Sequence, residues 1–433
     1  RGRRLPSMPP DTTHPPAIQD VPDATDGDVV AEREIEAIRA TVAGDVQDYM
    51  ADLERLVNID CGSYTPDGVN EVGRFVAGFL TELGADVDIR PDPDGRYGNT
   101  IVGTFSGRVG APRTLLIGRM DTVFDPGTVA ERPFRVVEGT AYGPGVTDMK
   151  SGLLAGLYAV KAVIETVGGL PFERLTFVAN PDEEIGSPTS TPHIRALAAD
   201  VDACLVLECA RANGDIVSAR KGIIDARVIV HGRAAHAGVE PEKGRNAILE
   251  AARIVRDLHA LNGRWPGVTV NVGVIRGGTR PNVVAERCEL EVDVRSADGA
   301  GLDRVGAAVR EIIAATEIAD VTTELQVMAG WRPMEKLARS GRLVEHAQAV
   351  ARRLGFEVRD SATGGASDAN TTSGMGVASI DGLGPIGGND HSPAEYLEVA
   401  SIVPRTALLA GLLLAIGRDP VVGEWRAAGP MVR

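Results

Sequence analysis

Between Lys221 and Pro333 the hydropathy pattern changes period from one segment to the next, and this limits the fold more than any other feature. GIIDARVIVHG alternates like a half-exposed strand, and Gly244 to Leu261 carries apolar residues at helical spacing. VTVNVGVI and RCELEVDVR alternate again, LDRVGAAVREIIAAT is helical, and VTTELQVM closes with a strand. In order this is β-α-β-β-α-β, the split βαβ pattern of ferredoxin-like units. At roughly 110 residues it is large enough to form its own core.

The flanking sequence has another rhythm. Helical patterns cover Val29 to Leu56 and Val69 to Leu83. Compact apolar runs follow at Thr100–Thr104, Thr114–Ile117, Leu175–Ala179 and Ala203–Leu207, with a helical stretch from Gly152 to Val167 among them. After the small unit, Gly341 to Leu354 is helical and the alternation resumes to about Arg418. Short strands alternating with helices predict an α/β fold, here a mixed sheet with helices on both faces. The expected organisation is a discontinuous domain over 29–220 and 334–420, interrupted at 221–333 by the ferredoxin-like α+β unit. Residues 1–28 are rich in proline and lack the apolar centre of a signal peptide; they are expected to form a disordered arm.

A net charge of -15 argues against nucleic acid as a partner. No apolar run approaches the roughly 18 residues of a membrane span, and Ala407 to Ile416 is expected to be a core helix. Cys61, Cys204, Cys209 and Cys288 show no CxxC spacing, which suggests reduced thiols in a cytoplasmic protein, with export left open.

Ligands of open α/β sheets bind beyond the carboxyl ends of the strands, and here those ends are acidic. Asp121 follows one strand, Asp182, Glu183 and Glu184 another, and Glu208 a third; Asp148 precedes a helix in the glycine-bearing AYGPGVTDMKSG. Singly, each reads as a loop carboxylate or a helix cap. Together on one edge they repel unless a cation offsets them. His391, in GGNDHSPAEY, offers a nitrogen donor. Carboxylates with one imidazole suit Zn2+, with Mn2+ or Co2+ as alternatives. Arg119 stands two residues before Asp121, and a guanidinium cannot ligate a metal.

The motifs MDTVF, YGPGVTDMKSG, NPDEEIGS, the glutamate of LVLECA, RAAHAG, GGTRPNVV and HSPAEY occur in this order around the small unit. On them the chain resembles the M20 family of metallo-carboxypeptidases and aminoacylases, most of all its glutamate carboxypeptidase branch. The resemblance implies hydrolysis of an amide in a small N-acyl amino acid or peptide, releasing a C-terminal amino acid. It implies two zinc ions bridged by Asp148, one completed by Glu184 and His391. The other takes Glu208 and a histidine at the position Arg119 occupies. Glu183 would be the general base, Asp121 would orient a neighbouring imidazole, and His236 would help stabilise the oxyanion, often across a homodimer. Arg280 and Asn282, with Gly365, would grip the substrate carboxylate, with Arg295 and Arg332 as alternatives to Arg280. The small domain would act as lid and dimerisation surface. Arg119 leaves three readings: a two-metal hydrolase impaired at one site, a one-metal enzyme, or a non-catalytic ligand-binding relative.

Overall fold

The structure, a computed structural model, describes residues 29–429, so the expected 1–28 arm lies outside the described residues. Strand Arg113–Arg119 sits inside a six-stranded sheet. The order across that sheet is Asp86–Arg90, Thr100–Ser106, Arg174–Asn180, Arg113–Arg119, Ala203–Val206, Ala378–Ile380. Arg113–Arg119 pairs in parallel with both its neighbours, whereas Thr100–Ser106 is antiparallel to the strands on either side. The sheet is mixed, as expected.

Alternation along one strand assigns its faces. Leu116 enters the core that contains helices Ser151–Val167 and Ile402–Arg418, while Leu115 and Ile117 enter the core under helix Thr191–Ala198. Each such buried leucine or isoleucine is worth about 1.5–3 kcal/mol. Helix Ser151–Val167 lies close against the sheet because its second residue is Gly152. A Cβ there would stand 1.9 Å from the Leu207 carbonyl oxygen, so this approach, which also fixes the strand end before Glu208, needs glycine. Against the sequence expectation, the segment Val399–Arg418 is long and apolar enough to cross a membrane, yet 78% of its apolar 18-residue stretch is buried inside the fold. It is the core helix that Ala407–Ile416 implied.

The small unit forms a separate antiparallel sheet in the order Thr269–Gly277, Arg287–Ser296, Gly222–His231, Thr322–Trp331, which is the ferredoxin-like arrangement. Helices Ala247–His259 and Gly299–Ala314 contribute to its own core, built on Val228, Val230, Ile254, Leu290 and Val309. Asn246 caps the first of these helices by accepting from the Ile248 and Leu249 amides, so the helix begins later than Gly244.

One further expectation needs correction. The helix expected over Val29–Leu56 is two, Glu32–Gly44 and Val46–Val57. They break at Asp45, beside a poor helix former, Gly44, and the Asp45 carboxylate is drawn to Lys161 Nζ at 2.7 Å. Two small ladders had no visible pattern because their strands are short and poor in apolar alternation. Ile216–Arg220 pairs in parallel with Asp360–Thr363, and Arg135–Val137, Thr140–Tyr142, Tyr396–Glu398 and Gly387–Gly388 form a four-stranded sheet. The second of these carries the His391 loop between its last two strands.

Candidate metal centre

Arg119 is the last residue of its strand and its side chain is 2% exposed. The guanidinium is surrounded by acid. Nη2 pairs with Asp148 Oδ1, Nη1 lies 2.8 Å from Glu184 Oε1, and Nε lies 3.2 Å from Glu183 Oε2 and 3.4 Å from Glu208 Oε1. Nη1 also donates to the Asp121 carbonyl at 2.6 Å. Burial alone would lower the Arg119 pKa, but Asp148 and the three glutamates hold it well above the usual arginine range.

His391 closes the other side. Its Nε2 lies 3.2 Å from Asp148 Oδ2 and 3.2 Å from Glu184 Oε2. Each of these carboxylates therefore gives one oxygen to Arg119 and the other to His391. Hydrogen bonds to Asp148, then to Glu184, raise the His391 pKa to about 10, so this imidazole is protonated until a cation displaces its proton. Burial pushes Glu183 and Glu208 well above the usual carboxylate range. Burial pushes Asp148 up as well, but Arg119 together with hydrogen bonds to His391 and Glu208 holds it below the usual carboxylate range.

The loop bearing Asp148 is shaped by a distant residue. Backbone amides of Gly145, Thr147 and Asp148 donate to the Glu395 carboxylate at 2.9, 2.9 and 3.0 Å. Burial raises the Glu395 pKa to about 7. Asp121 does a similar job for the acidic turn Glu183–Ile185. It accepts from the Glu183 and Glu184 amides at 3.2 and 3.1 Å and from Ser63 Oγ at 2.6 Å. Its carboxylate therefore orients the backbone of the glutamate pair in a chain that has no imidazole at position 119.

Of the residues singled out in the sequence, Asp148, Glu183, Glu184, Glu208, His391 and Gly365 line one cavity of about 290 Å³. Asp121 lies behind it. His236, Arg280 and Asn282 do not line it. They are exposed together on the small domain, where His236 forms a β-bridge with Val283 and the Asn282 carbonyl accepts from the Ala237 amide. Arg295 and Arg332 are occupied with Asp293 and Asp303. The arginines at the cavity are ones that sequence reasoning missed, Arg211 and Arg220. Arg220 Nε donates to buried Asp381 at 2.8 Å and Nη1 to the Gly365 carbonyl at 3.0 Å; Arg211 Nε is buried and unpartnered among the described residues. The available signal was Arg220 at the end of IVSAR, just before the small-domain strand that starts at Gly222. Lys150 donates to the Ile59 and Pro144 carbonyls, a structural role.

Comparison with known proteins fits this geometry. Residues 218–321 match the peptidase dimerisation domain of the M20 group. The chain is 32% identical over 372 residues to carboxypeptidase G2 of Pseudomonas sp. (strain RS-16), covering 84% of this chain and 88% of that protein. The chain belongs to the M20 metallopeptidase family. Acetylornithine deacetylase of Edwardsiella ictaluri is 27% identical, with 78% of this chain and 89% of that protein covered. Among solved structures, an M20 family metallo-carboxypeptidase from Sulfolobus solfataricus shares the fold at a TM-score of 0.67 and 15% identity, covering 85% of this chain and 99% of that one.

M20 membership implies use of a divalent metal, and the residues present can be tested for fit. Asp148, Glu184 and His391 each offer one ligand atom, all within 4.8 Å of one another. The pairing of Arg119 Nη1 with Glu184 is off the hydrogen-bond axis, leaving Glu184 Oε1 buried without a hydrogen bond among the described residues. This side of the M20 cleft fits one ion. The Glu208 side does not fit a second, since among the described residues the nitrogen group paired with Glu208 is the Arg119 guanidinium, which has no lone pair to give.

Proposed function

We propose that this chain is a zinc-dependent hydrolase that cleaves an amide bond in an N-acyl amino acid or small peptide and releases the C-terminal amino acid. Glutamate is a candidate leaving group. The observation that carries the reading is the convergence of Asp148 Oδ2, Glu184 Oε2 and His391 Nε2 beside Glu183. Those three residues would hold the ion, with Mn2+ or Co2+ as alternatives, while Arg119 impairs the Glu208 side. A bound ion supplies Lewis acidity toward the amide carbonyl.

The remaining work falls to the chain's own groups. Glu183 is partly buried and its pKa is raised, which suits a general base that takes a proton from water and passes it to the leaving nitrogen. Asp121 keeps Glu183 and Glu184 aimed by fixing their amides. Arg220 keeps Nη2 uncommitted among the described residues, and Arg211 keeps Nε. Both face the same cavity and suit the carboxylate of the departing amino acid. Glu184 also lines a second cavity, with Tyr64, Val123 and Phe124, which suits the acyl side of the scissile bond. His236 would reach an oxyanion only from a partner subunit, consistent with a homodimer through the small domain.

Hydrolysis of an N-acyl-glutamate by the zinc-reconstituted protein tests the reading. Turnover abolished by a chelator and restored by zinc is the expected result; full activity in metal-free protein would sink it. The buried guanidinium inside the cleft favours one second reading, a ligand-binding relative without turnover. Saturable binding of the same compound with no product would select it.

A further inference from the structure

Building on the one-ion reading above, we propose that Arg119 is the cleft's own second cation, a tethered charge that limits the chain to one metal ion and keeps the acidic cleft assembled when no metal is bound. The first argument is occupancy. One guanidinium reaches Asp148, Glu183, Glu184 and Glu208, and it spends a further N–H on the Asp121 carbonyl. A second ion shared between Asp148 and Glu208 would have to lie beside this fixed positive charge, which a low-dielectric interior disfavours.

The second argument is a contrast within the molecule. Arg405 is also fully buried, yet it donates to the carbonyls of Gly384, Gly214 and Gly382, and burial lowers its pKa to about 10. Arg405 organises backbone; Arg119 neutralises carboxylates. The third concerns what remains without it. Among the described residues Asp148 and Glu184 would keep one ion pair, with half-exposed His391, and Glu183 and Glu208 would keep none, since Arg220 at the same cavity is paired with Asp381. A chain with a neutral residue at 119 would need metal to hold the cleft together.

Metal content and thermal unfolding of the whole chain test this, comparing the wild type with Arg119→His, Arg119→Met and Arg119→Lys after loading with zinc and after chelation. The expected wild type carries one zinc per chain and melts in chelator with only the loss attributable to that ion. Arg119→His should carry two, and in chelator melt roughly 5–10 °C below the equally treated wild type. Arg119→Lys, which keeps a charge, should lie between them, and guards against a methionine variant that fails to fold. Two zinc ions on the wild type, or chelated Arg119→His melting with the chelated wild type, would overturn the proposal. A one-zinc wild type that fails to hydrolyse any N-acyl amino acid would instead count against the hydrolase reading and leave this one standing.

Discussion

On one side of the cleft, Asp148 and Glu184 turn an oxygen each toward His391; on the other, Glu208 and Glu183 have Arg119 as their ion-pair partner among the described residues. Both sides are buried acid beside a cation. The difference is whether that cation can leave. An imidazolium sheds a proton and becomes a ligand, and this one is half exposed. A guanidinium keeps its charge at any working pH, and this one is sealed in the interior. Counting acids therefore does not count metal sites; the lability of the counter-charge decides.

Four measurements would break or sharpen this contrast. Glu183→Gln removes the proposed base without touching the three donor atoms; hydrolysis should fall by roughly 10²–10⁴-fold with zinc content unchanged. Loss of zinc along with activity would place Glu183 among the ligands and blur the two sides. His391→Ala against Glu208→Gln compares the sides directly. Zinc affinity should drop by about 100-fold or more in the first, beyond the usual effect of losing an outer partner, and change only a few-fold in the second. Equal losses would mean that Glu208 ligates despite Arg119.

Asp121→Asn keeps the shape but loses the charge that gathers two amides and the Ser63 hydroxyl, and should lower stability by about 1–3 kcal/mol in denaturant titrations. An effect confined to turnover would give Asp121 a chemical role. The smallest effect is a reference for an ordinary arginine–carboxylate pair. Arg418 donates to Glu34 at 2.7 and 2.8 Å and lowers its pKa to about 2 from 4.5. The folded pKa is depressed, so the stabilisation is present above the unfolded value and is lost as pH falls from about 4.5 toward 2. Allowing for solvent screening it is worth about 1 kcal/mol, and Glu34→Gln should flatten acid unfolding by that much. A flattening as large as the loss at Arg119 would remove the distinction between a surface pair and the cleft.

The acids and the histidine were legible because their residue types and strand-end positions speak for themselves, and the split βαβ unit because its periods are regular. Arg119 was legible as an anomaly; its pairing with Asp148 and Glu208, and its hydrogen bond to the Asp121 carbonyl, come from the structure. Glu395 was hidden in plain sight within HSPAEY. Its task is to accept three amides about 250 positions earlier, and no local pattern encodes that. Arg220 was equally opaque, because its partner Asp381 lies 161 positions away across the inserted domain. His236, Arg280 and Asn282 sit in well-marked motifs, yet in a single chain they lie outside the cavity the acids form.

Glu395 also sets a schedule. The Gly145–Asp148 loop gains its anion only when the C-terminal segment arrives, and strand Ala203–Val206 waits for Ala378–Ile380 across the whole small domain. At ribosomal rates of about 5–20 residues per second, the stretch from Glu208 to His391 takes on the order of 10–40 s to make. For that interval the nascent chain holds most of its acids without His391. The small domain, contiguous and with its own core, can finish first. Arg119 precedes Asp148, Glu183, Glu184 and Glu208 in the chain, so a counter-charge is already in hand as each of them emerges.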